Sequence, residues 1–153
     1  MLKYFYIVSI ITVITACSTP AVKDDCNFKS VEKMTIRWGE SNNETKTFAA
    51  YEINAEALLT RITGDSTLPD GNRQVVGHTD KDKFCSYFNQ IKKAMVVTQV
   101  LNEPGQITRY FEYSDPVNKA YFRVQWVDKF KTKNSMRFRE VYDSLQVLAD
   151  IAK

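Results

Sequence analysis

Ser30 and Lys33 stand three residues apart, the spacing at which a lysine one helical turn away activates a serine nucleophile. That chemistry needs a helix. Ser30 instead leads into an alternating segment, with Met34, Ile36 and Trp38 on one face, that reads as a half-buried strand, and no Lys-Thr-Gly partner follows. His78 is the one histidine and has the side chain suited to general-base work near neutral pH. No Gly-x-Ser-x-Gly or comparable nucleophile accompanies it, and its place between Gly77 and Thr79 suits a surface or capping role. Asp65, Asp70, Asp80 and Asp82 offer hard oxygen ligands, but their spacing departs from a Ca²⁺-binding loop, and turn and helix-cap chemistry accounts for them. The residues therefore predict no catalytic set, no metal site and no cofactor.

The cysteines are more informative. Cys17 closes the run Ile14-Thr15-Ala16-Cys17, after Lys3 and a stretch from Tyr4 to Val13 that is apolar apart from Ser9 and Thr12. Roughly a dozen apolar residues fall short of the about 20 that span a bilayer, so residues 1–16 read as a cleaved signal segment. The run resembles the lipobox of bacterial lipoprotein signal peptides: an aliphatic residue at −3 (Ile14), small residues at −2 and −1 (Thr15, Ala16) and the cysteine that is lipidated (Cys17). The resemblance covers residues 1–17 only. It implies acylation of Cys17 and a membrane-anchored chain in the cell envelope. Ser18, where an aspartate would imply retention at the inner membrane, implies the periplasmic side of the outer membrane. Cys26 and Cys85 remain. In an oxidising compartment they are expected to form a disulfide closing a loop of about 60 residues. No Cys-x-x-Cys is present to suggest zinc.

Composition sets the outer bounds. A chain of 153 residues less the signal segment holds one domain and is too short for two. With 44% hydrophobic and 25% charged residues it is ordinary for a globular protein, and a net charge of +3 gives no argument for nucleic acid. Residues 17–27 form a lipidated cysteine and short tether, and 28–153 a single domain.

Elements must then position whatever this domain presents. Glu32–Trp38 and Thr45–Ile53 read as strands around a polar turn at Gly39–Glu44. Asn54–Ile62 fits either a helix or a turn followed by a strand from Leu58 to Thr63; continuation of the meander favours the strand. Gly64–Asn72 is a loop and Arg73–Gly77 a short strand. Thr79–Met95 has helical periodicity, with Thr79 as cap and Phe84, Tyr87, Phe88, Ile91 and Met95 as its stripe. Val96–Leu101 and Gln106–Tyr113 flank Asn102-Glu103-Pro104-Gly105 and predict a hairpin. Ala120–Val127 alternates with Phe122, Val124 and Trp126 inward, and Arg137–Ala152 is a second amphipathic helix. The sum is an α+β fold: an antiparallel sheet of about five to seven strands with both helices on one face.

Two surfaces follow. The uncovered sheet face would carry Tyr110, Tyr121, Arg123 and Gln125, a candidate site for a partner protein. Lys129, Lys131, Lys133, Arg137 and Arg139, interleaved with Phe130 and Phe138, form the densest basic run and a candidate contact for anionic lipid. The reading is a non-enzymatic, membrane-anchored binding or structural envelope protein. An inhibitor or immunity-type lipoprotein is the alternative, and a small hydrolase built on His78 a weaker one.

Overall fold

The computed structural model describes residues 33–65, 67–68, 70–97 and 101–151. The signal segment, Cys17, Ser18, Cys26 and Ser30 lie outside the described residues.

The first strand, β1 (Thr35–Asn42), runs past the turn expected at Gly39. The turn comes at 43–46, where the Asn42 side-chain oxygen accepts from the amides of Glu44 and Thr45, and Lys46 takes a left-handed conformation. The second strand, β2 (Thr47–Asn54), ends in a turn built the same way. Asn54 Oδ1 accepts from the amides of Glu56 and Leu58, and Ala57 is left-handed at φ 65°. Asn54 is thus a turn former rather than a helix cap, and Leu58 opens the third strand, β3 (Leu58–Asp65). A loop then leads to β4 (Asn72–His78).

Helix α1 (Lys81–Val97) begins two residues later than expected. Its cap is Asp80, whose carboxylate accepts from the Lys83 amide at 2.6 Å, and not Thr79. The helix continues through Val96 to Val97, where the expected strand would begin. Residues 101–103 instead lie alongside β6 (Ala120–Val127): Asn102 makes a parallel bridge to Gln125, Gln125 donates to Leu101 O, and Glu103 donates to Gln125 O. The expected hairpin around Pro104-Gly105 is therefore replaced by a short cover on the outer edge of β6. The real hairpin joins β5 (Ile107–Asp115) to β6, and its turn is held by Asp115, which accepts from the amides of Val117 and Asn118. Helix α2 (Met136–Ile151) closes the chain.

The six strands form one antiparallel sheet in the order β4-β3-β2-β1-β5-β6. α1 carries the chain from one edge back across the sheet to the far side of β1, which puts β1 at the centre. Ile36, Trp38, Ile53, Leu59, Phe111, Val124 and Trp126 point to one face, where Phe84 and Ile91 of α1 and Phe138, Tyr142 and Leu145 of α2 cover them. Each such side chain contributes about 1.5–3 kcal/mol by leaving water. Aromatic rings interlock there, Phe111 with Phe138 at 5.3 Å and Trp126 with Tyr142 at 5.6 Å. The α+β architecture with both helices on one face of an antiparallel sheet is the one the sequence predicts.

Candidate functional site

The strand registers place a second set of residues on the face the helices leave open. Arg37 is opposite Glu52 on β2 and Glu112 on β5, and Glu112 is opposite Arg123 on β6. Since Arg73 of β4 also reaches Glu52, a row of alternating charge crosses the sheet: Arg73, Glu52, Arg37, Glu112, Arg123. Arg37 donates to Glu52 through Nε and Nη2 at 3.1 and 3.0 Å. Burial alone would lower the Arg37 pKa, but its bonds to Glu52 and the charge of Glu112 outweigh that and raise it. Each glutamate is held by two arginines, so the row is a chain of ion pairs rather than a proton-transfer pair. Three arginines against two glutamates leave it with positive charge in excess.

Tyr110 sits beside this row, directly opposite Gly39 on β1. A Cβ at Gly39 would come within 2.8 Å of Ala50 Cβ and 2.3 Å of the Ala49 carbonyl oxygen, so only glycine fits. The Tyr110 ring packs with Ala50, Ile62 and Phe48 into a small apolar cluster on the open face. The Arg123 guanidinium lies 4.3 Å from its ring centre. Tyr110 is accordingly buried, at 4% exposure, which corrects the expectation that it is presented to solvent. Burial, and then the charge of Glu112, push its phenol up to about 12. Tyr121 is the exposed tyrosine of the face, at 64%, and donates from its hydroxyl to Glu112 at 3.1 Å. Gln125 lies on the same face but is drawn toward Asn102 at the covered edge.

The loop after β3 borders this face. Asp65 accepts from the Thr67 hydroxyl and from the Thr67 and Leu68 amides, which holds its carboxyl below the usual range. The result is a depression of about 250 Å³ lined by Arg37, Ser41, Phe48, Asp65, Tyr110, Glu112 and Arg123. Arginine and aromatic side chains around a shallow concavity are the types that protein interfaces concentrate.

All four residues expected on the open face, Tyr110, Tyr121, Arg123 and Gln125, share it. Arg37, Glu52, Glu112, Arg73 and Phe48 were not anticipated. The alternation of their strands carries a signal for them, but opposite charges in register are visible only once the strand order is known. The basic run is divided. Lys129, Lys131, Lys133 and Arg137 are exposed, whereas Arg139 is buried and donates to the carbonyls of Val127 and Phe130 at 2.8 and 2.6 Å and to that of Asp128. Arg139 is thus a brace for the loop and is not available to a lipid surface. His78 is exposed at the end of the edge strand β4. Asp65 and Asp80 serve turn and cap, Asp70 and Asp82 are exposed, and among the described residues no group of three metal-ligating side chains converges. Cys85, on α1, is disulfide-bonded, and its partner lies outside the described residues. Among the described residues no helix is long and apolar enough to cross a membrane.

No family model matches this chain, and no curated protein matches it.

Proposed function

We propose that this chain is a lipid-anchored envelope protein, held through Cys17 at the periplasmic side of the outer membrane, that works by binding a protein partner rather than by catalysis. The observation that carries the binding reading is the open sheet face, where Tyr121 stands exposed above a depression framed by Arg37, Arg123 and Phe48. Its polar groups are committed to one another in ion pairs, which favours recognition of a complementary surface over proton transfer. The excess of arginine suits a partner with an acidic patch. The lipobox-like run at 14–17 supports the anchor.

One experiment in cells tests both halves. A photo-crosslinking amino acid at position 121 is introduced into the wild-type chain and into Cys17→Ala, with radiolabelled palmitate in the medium. Label on the wild-type chain and none on Cys17→Ala is expected. A discrete protein adduct that disappears with Arg123→Glu is also expected. Equal labelling of the two chains removes the anchor. An adduct indifferent to Arg123→Glu, or no adduct, removes the face.

A further inference from the structure

The loop between β6 and α2 is a second surface that the open face does not use. Residues 128–135 are shaped from inside. Arg139 reaches back from α2 to bond the loop carbonyls of Asp128 and Phe130, the Val127 carbonyl at the end of β6 and the Ser135 hydroxyl, and its guanidinium lies 5.8 Å from the Trp126 ring centre. Ser135 and Thr132 close the turn by reciprocal bonds. Braced in this way, the loop presents Phe130 at 67% exposure with Lys129 and Lys131 on either side, and Lys133 and Arg137 exposed beyond. No acidic residue occurs from 129 to 139. A rigid loop that holds an aromatic ring in water, ringed by cations, matches an interfacial membrane contact: the ring enters the headgroup region and the cations meet phosphates.

Cys85 is in the second turn of α1 and is disulfide-bonded, at the end of the sheet where β1 starts and β5 turns into β6, the end opposite Phe130. With Cys26 as its partner, eight residues lie between this attachment and Cys17, and the span from Cys17 to Cys26 reaches at most about 32 Å. The sheet itself is about 26 Å long along its strands. A tether of that reach can span the length of the sheet, which lets the loop at the far end of β6 meet the bilayer. We propose that the domain rests on anionic lipid through Phe130 and its flanking lysines. This rests on the lipid-anchor reading and on the pairing of Cys26 with Cys85.

The test uses the full processed chain reconstituted in phosphatidylglycerol-containing vesicles with acyl-brominated lipid. Its own two tryptophans, Trp38 and Trp126, are fully buried. A tryptophan is placed at the loop (Phe130→Trp) or at the β5–β6 turn (Val117→Trp), which is 55% exposed at the other end of β6. At least twofold quenching is expected for Phe130→Trp and none for Val117→Trp. Lys129→Glu with Lys131→Glu and Lys133→Glu should return Phe130→Trp to the control level. Equal quenching at both positions, or none at 130, overturns the proposal. So does a chain that binds soluble sulfated polysaccharide through these lysines while the loop tryptophan stays unquenched. Flotation with the vesicles reads the anchor separately: loss of flotation in both variants overturns anchor and loop contact together, whereas flotation without quenching overturns the loop contact alone.

Discussion

Tyr110, Tyr113 and Tyr142 each have a phenol pushed up to about 12, and in all three burial is the first cause. Nearby carboxylates add to it: Glu112 for Tyr110, and Asp115 for Tyr113, whose hydroxyl donates to that carboxylate at 3.3 Å. Tyr142 is also raised by Glu40, against an opposing bond from Gln146. A group whose pKa is raised on folding stabilises the fold below its unfolded value and loses that contribution as pH climbs through the folded value. The fold should therefore hold its stability up to about pH 10 and lose it between about 10 and 12. Phenolate absorbance during alkaline titration checks this: these three tyrosines should ionise only with unfolding, while more exposed ones ionise earlier. Ionisation of all tyrosines near 10 in a chain that is still folded would contradict it. Sequence alternation alone put Tyr110 outward, which is correct, but outward is not the same as exposed. The Arg123 guanidinium above the ring and the glycine beneath it are decided by neighbours on other strands.

At the scale of elements, the central strand shows why local patterns mislead. Gly39 reads as the start of a turn because glycine is enriched there. In the fold it continues β1 because β2 passes too close for any side chain, and the Tyr110 ring from β5 sits opposite. Gly39→Ala is expected to destabilise the protein by about 1–3 kcal/mol through overpacking, measured as a lowered midpoint in urea. An unchanged midpoint would mean that β2 can move aside at no cost. The second misreading has a related cause. Val96–Leu101 is apolar enough for a strand, but α1 has no stop signal before it, so the helix runs on to Val97. The edge of β6 is then covered by residues 101–103 in parallel, a long-range pairing that no local pattern encodes. By contrast Ala120–Val127, with its clean alternation, and α2, with its unbroken stripe, were legible because burial on one face imposes their period.

At the scale of the whole molecule, the disulfide at Cys85 ties the helical layer to chain outside the described residues. A link between Cys26 and Cys85 would close about 60 residues and contribute at most roughly 4 kcal/mol by restricting the unfolded chain. Cys26→Ser with Cys85→Ser should lower the thermal midpoint in oxidising conditions by many degrees. Reduction of the parent protein should reproduce the loss, and the double variant should not respond to reductant. A parent protein indifferent to reductant would show that the core alone carries its stability.

The amino-acid sequence by itself determined the period of most strands and both helices, the α+β class, and which residues of the last hairpin face away from the helices. These are local or periodic properties, readable from neighbours a few positions apart. Only the tertiary structure decided which outward residues meet. The row from Arg73 to Arg123 joins residues from five separate stretches of chain. Arg139, indistinguishable in sequence from the cations before it, is turned inward because loop carbonyls need a donor there. A side chain's role on a sheet depends on register and strand order, and those are set by the packing of the whole sheet against its helices.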